Sequence, residues 1–102
     1  MSIYLQATLE IDGAGFPRFV QIMAEWVPII ESFGWKLNAA YMHRTGRLNT
    51  VIDVWELEDM AHIDRGFQQL MSHPRFGDFK KVLDETVKSE TLVVLQKFSY
   101  AS

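Results

Sequence analysis

Asp53 stands between Ile52 and Val54 in the run "NTVIDVWELED", two residues before Trp55. Alternation along an extended segment sets Val51, Asp53, Trp55 and Leu57 on one face, with Ile52 and Val54 on the other. A carboxyl among apolar side chains loses hydration when it ionises. Its pKa rises, and it can then move a proton near neutral pH. The alternative is a carboxylate paired with a neighbouring Arg, Tyr or backbone donor, the usual state of a buried charge. Tyr41 and His43 share a face of the preceding extended segment. Joined to Asp53 across a hairpin, they would form a Tyr–His–Asp group able to bind a phenol or carbonyl and relay a proton. Register decides whether the three share one face, because a slip of one residue reverses every side chain. Trp55 and Trp26 offer flat walls for an apolar ligand in addition to serving a core. Arg65 could meet an anionic group of such a ligand. His62 and His73 have neither i,i+4 spacing nor a second ligand pair nearby, so no metal site is expected. No glycine-rich phosphate loop occurs, and no bound cofactor is expected.

Four strands and two helical regions must position these residues. Residues 3–11 alternate Ile3, Leu5, Ala7, Leu9 and Ile11 against Tyr4, Gln6, Thr8 and Glu10, the pattern of a strand buried on one face. From Phe16 the apolar residues recur at helical spacing through Phe33. Pro17 suits the first turn and Gly34 the end. Pro28 would bend the last turn or restart the helix there. Residues 35–44 and 49–57 read as two strands joined through "TGRL". Asp59 is placed to cap the next helix, whose stripe of Met60, Ile63, Phe67, Leu70 and Met71 is interrupted by "SHP" at 72–74 and resumes from Phe76 to Val87. Residues 90–98 close the chain as a final strand with apolar residues on both faces. The order β-α-β-β-α-β predicts an α+β, ferredoxin-like protomer: a four-stranded antiparallel sheet with helices on one face only. The uncovered face is partly apolar, a liability in water. A second copy laid over it is the simplest remedy, so a homodimer is expected.

The chain has 102 residues, the length of one domain, read as a single unit over 1–102. It has no cysteine, which excludes disulfides and thiolate chemistry and suits a reducing, cytoplasmic setting. Neither a signal peptide nor a membrane-spanning run is evident. Thirteen acidic residues against ten basic ones argue against nucleic acid as a partner. RNA-recognition domains share this strand order, but they need a Lys/Arg-Gly-aromatic signature on the third strand, where "NTVIDVWE" has one aromatic and no basic residue.

Taken together, the segments resemble a known family. "GRLNTVIDVWELED" is similar to the turn-and-strand signature of the NIPSNAP family, with Gly46, Leu48, Asn49, Val51, Ile52, Trp55 and Glu56 in the family's order. "PIIESFGWKL" at 28–37 and "RGFQQLMSHPRFGDF" at 65–79 extend the resemblance over most of the chain. It departs at Asp53, where the family usually has a His. The resemblance implies a ferredoxin-like protomer and a dimeric α/β-barrel, in a superfamily that includes cofactor-free monooxygenases, isomerases, decarboxylases and haem-handling enzymes. The expected role is binding or transforming a small apolar or aromatic molecule between sheet and helices. Asp53, His43 and Tyr41 would handle protons, and Trp55, Trp26 and Arg65 would contact the ligand. A cofactor-free monooxygenase and a non-catalytic interaction module stand as alternatives.

Overall fold

A computed structural model describes residues 2–101. Strand β1 (Ile3–Ile11) leads through one 3₁₀ turn into helix α1 (Phe16–Glu31), followed by β2 (Lys36–Met42), β3 (Thr50–Leu57), α2 (Met60–Ser72), α3 (Phe76–Thr86) and β4 (Val87–Leu95). The strands form one antiparallel sheet in the order β2-β3-β1-β4. All three helices cover the same face, that of Leu5, Ala7, Leu9 and Ile11 in β1 and of Asp53, Trp55 and Leu57 in β3. This is the expected ferredoxin-like α+β arrangement, with the second helical region divided at 73–75.

Each element follows from local chemistry. The period-two pattern of β1 becomes an alternating burial pattern from Leu5 to Ile11. Asp59 caps α2, its carboxylate accepting the His62 amide at 2.9 Å. Helix α1 does not restart at Pro28. It runs on to Glu31, and the Pro28 carbonyl accepts the Ser32 amide at 3.0 Å. The bond that Pro28 cannot donate is the one Ala24 would have accepted, and Ala24 is exposed, where water can serve its carbonyl.

Strand β4 begins at Val87, not residue 90, and ends at Leu95. Helical spacing to Val87 and a strand from residue 90 leave "KS" as the expected connection, yet α3 passes into β4 with no loop. The Thr86 hydroxyl donates back to the Val82 carbonyl at 2.7 Å, and the Thr86 carbonyl accepts the Asp12 amide at 2.8 Å. That anchor sets Val87 opposite Ile11, so pairing starts at once. An edge strand tolerates polar residues because one flank faces solvent.

The main core cluster joins Leu5, Trp26, Ile30, Trp35, Trp55 and Phe79, with Leu57 alongside. Trp35 reaches over α2, and its indole nitrogen donates to the His62 carbonyl at 3.0 Å. This approach requires glycine at position 66: a Cβ there would fall 2.2 Å from the Trp35 indole nitrogen. His62 is itself buried. Its Nε2 lies 2.9 Å from the Phe33 carbonyl, and its Nδ1 accepts the Glu58 amide at 3.4 Å, which ties the start of α2 to the turn ahead of β2. Gly34, at φ +98°, makes that turn and leaves room for the imidazole.

Candidate functional site

Sheet register builds the site. Asp53 pairs with Ala7 on one side and Ala40 on the other, and Leu92 lies beyond Ala7. The rows on either side are bulky: Leu37, Trp55, Leu5 and Val94 form one, Met42, Val51, Leu9 and Glu90 the other. Ala7, beside the carboxylate on the β1 side, therefore leaves a depression in the helix-covered face. Helices α2 and α3 roof it without filling it. The result is a cavity of about 520 Å³ with Ala7, Asp53 and Trp55 on its floor and Trp35, Phe67 and Phe76 among its walls. Lys80, Asp84, Lys88 and Glu90 stand at its polar side, toward β4.

Asp53 is only 5% exposed. Burial, first, and the nearby Glu90 carboxylate, second, push its carboxyl from the ordinary 3.8 up to about 6. Burial also raises Glu90. Among the described residues no hydrogen bond or cation opposes the rise at Asp53. Of the lysines beside the cavity, Lys80 is engaged with Asp84 at 2.6 Å. The floor thus offers a carboxylate that ionises close to neutral pH and, among the described residues, has no donor attached.

Residues expected to join Asp53 are distributed differently. Tyr41 pairs with Ile52, so its side chain belongs to the opposite face of the sheet, and it is 63% exposed. The register shift between Leu37 and Ala39 sets Ala40, rather than Ala39, against Asp53 and moves Tyr41 from Val51 to Ile52. His43 lies past the end of β2, its Nδ1 3.1 Å from the Arg47 carbonyl. The structure therefore does not bring the Tyr41–His43–Asp53 group together in the protomer. Trp55 lines the cavity as expected from its face. Trp26 does not: it is fully buried, stacked on Phe79 with centroids 4.5 Å apart. Arg65 lies on the outer surface of α2, 3.9 Å from Glu58, away from the cavity. Among the described residues no group of three or more His, Cys, Asp or Glu is placed to hold a metal ion.

Glu90 and the two alanines went unnoticed in the sequence, although signals for them exist. Glu90 is in phase with Leu92 and Val94, and Ala7 is the one small member of the series from Ile3 to Ile11. Residues such as Phe67 and Phe76 were legible as helical stripes, but not as walls of a space.

The sheet and the helices on its one face define a ferredoxin-like α+β protomer. The profile of the NIPSNAP family matches residues 4–101, and the chain belongs to that family. An uncharacterized NIPSNAP domain protein from Burkholderia xenovorans superposes with a TM-score of 0.83 at 20% identity, over 100% of this chain and 99% of that one. A NIPSNAP family protein of unknown function from Agrobacterium tumefaciens gives 0.87 at 15% identity, over 98% and 91% of the two chains. SnoaB, a cofactor-independent oxygenase from Streptomyces nogalater, gives 0.71 at 12% identity, over 94% and 92%. At these identities the likeness is one of fold. No curated protein matches the sequence. No helix among the described residues is long and apolar enough to cross a membrane.

Proposed function

We propose that this protein binds a small apolar or aromatic molecule carrying a hydroxyl group, with the hydroxyl directed at Asp53 and the apolar body against Trp55 and Trp35. The observation that carries this reading is a buried carboxylate without a partner among the described residues, on the floor of an apolar cavity of about 520 Å³. That volume lies within the range of small-molecule sites, roughly 300–1,000 Å³. A ligand hydroxyl would supply the donor the protein withholds, and the ionised carboxylate could then take its proton. Titration with 1-naphthol, followed by tryptophan fluorescence, tests the reading. Saturable quenching is expected, weakened at least about tenfold by Ala7→Leu, which fills the floor with a side chain already accommodated at Leu5 and Leu9. Unchanged affinity in a folded Ala7→Leu protein would refute it.

A second reading, cofactor-independent oxygenase chemistry, draws on Asp53 as a proton acceptor and on the fold likeness to SnoaB. Product release from hydroxylated quinone precursors under air, abolished by Asp53→Asn, would support it. Binding without turnover would instead favour a non-catalytic module. Two copies are further inferred to pair through the sheet face the helices leave open. Ile52 and Val54 on β3 and Val93 and Leu95 on β4 are two aliphatic patches of that face, on either side of Tyr4, Gln6 and Thr8 of β1, and Val93 and Leu95 are 44% and 37% exposed in the protomer. A cytoplasmic setting fits the absence of cysteine.

A further inference from the structure

A second apolar space, of about 330 Å³, lies between α1 and the β2 side of the sheet, with Phe19, Val20, Ala24 and Val27 on the helix and Ala40 and Met42 below. It shares two residues with the larger cavity, Met23 and Asp53. Met23 also packs against both clusters of the core, so it stands at the seam between them. Asp53 is thus reached from both sides, and the thioether above it is what the two spaces have in common. Methionine is unbranched, with three rotatable bonds, and adapts to changing surroundings. A β-branched residue at the same place would be held near one rotamer.

We propose that the two spaces are halves of a single ligand channel across the helix-covered face, partitioned by the movable Met23 side chain. Its ligand class is an elongated, mostly hydrocarbon molecule whose hydroxyl lies at an interior position. A ring or compact apolar group occupies the larger cavity, the hydroxyl meets Asp53, and an alkyl arm passes Met23 into the groove under α1. The proposal rests on the reading of Asp53 as a ligand-binding carboxylate and extends it to the shape of the ligand. Apart from Asp53 and Tyr41, at its β2 edge, the groove is lined by apolar residues, so its occupant is hydrocarbon. The chain's own side chains leave the space open even though apolar surface surrounds it.

Alkylphenols test the geometry. In 2-alkylphenols the arm leaves the ring beside the hydroxyl. In 4-alkylphenols it leaves from the far side, and with the hydroxyl on Asp53 it must stay in the larger cavity. Affinity for the 2-alkyl series, from methyl to octyl, is expected to tighten by up to roughly fourfold per methylene until the groove is filled. Ala24→Trp blocks only the groove from an exposed helix position, and Val20→Trp does the same should the first variant fold poorly. Either is expected to return 2-octylphenol to the affinity of 2-methylphenol and to leave 4-octylphenol unchanged. If 2-methylphenol binds and Ala7→Leu weakens it, while the 2-alkyl arm gains nothing that Ala24→Trp removes, the channel is overturned and the Asp53 site stands. If no member of either series binds, both readings fall.

Discussion

Replacing Asp53 by Asn makes the cost of the buried carboxylate measurable. In the folded protein the carboxyl titrates at about 6, against an ordinary 3.8. Between those values the native state holds a proton that the unfolded chain has released, so stability falls as pH rises through that window. Each tenfold change in acidity corresponds to about 1.4 kcal/mol, which makes the full loss about 3 kcal/mol once both states are ionised. Part of it has already occurred at pH 4, and about 2.5 kcal/mol remains to be lost between pH 4 and pH 8. The amide introduced by Asp53→Asn would occupy nearly the same volume and cannot ionise. Urea unfolding of the two proteins at several pH values, at one fixed protein concentration so that assembly does not shift the comparison, reads the difference directly. The burial of Glu90 operates in both proteins and largely cancels. The gap in favour of the variant should widen by about 2.5 kcal/mol from pH 4 to pH 8. Parallel curves across that range would show that the carboxylate is hydrated or paired, and the cavity-floor reasoning would fail.

Phenol affinity should rise as pH passes through about 6, where Asp53 becomes an acceptor, and should lose that dependence in Asp53→Asn; isothermal titration at pH 5 and pH 8 checks both. Gly66→Ala forces a methyl group onto the Trp35 indole and should destabilise the fold by about 1–3 kcal/mol in denaturant titration. Asp59→Ala removes the α2 cap and should cost about 1 kcal/mol by the same measurement. Val54→Lys places a charge in the middle of the open face and should convert a dimer to protomers in sedimentation at micromolar concentration; a wild-type protein that already sediments as a protomer would refute pairing through this face.

Much of this molecule is local in origin. The alternation from Ile3 to Ile11, the helical stripes from Phe16 and Met60, the Asp59 cap and the turn at Gly34 are each decided by neighbours a few residues apart. Together with right-handed crossovers they leave few topologies open. The family resemblance was legible for the same reason: "GRLNTVIDVWELED" and its companion segments carry turn, strand and core positions in one order. Asp53 and Trp55 could be assigned to one face because alternation along a single strand needs no partner.

What lies beside Asp53 is a matter of register, and register is tertiary. The shift between Leu37 and Ala39 is invisible in the string "KLNAAYM", yet it sets Ala40 against Asp53 and turns Tyr41 to the other face. The anchor between Thr86 and Asp12 starts β4 at Val87 and brings Glu90 into the row next to the carboxylate. Trp26 and Trp55 have equal claims to a ligand when read as residue types. Only the packing of α1 against α3 stacks the first on Phe79 and leaves the second facing open space. Composition and periodicity determine which faces are buried. The cavity floor opens where a small residue, Ala7, lies beside a carboxylate more than forty positions further along the chain. Contacts at that separation are set by how strands align and not by what any single strand contains.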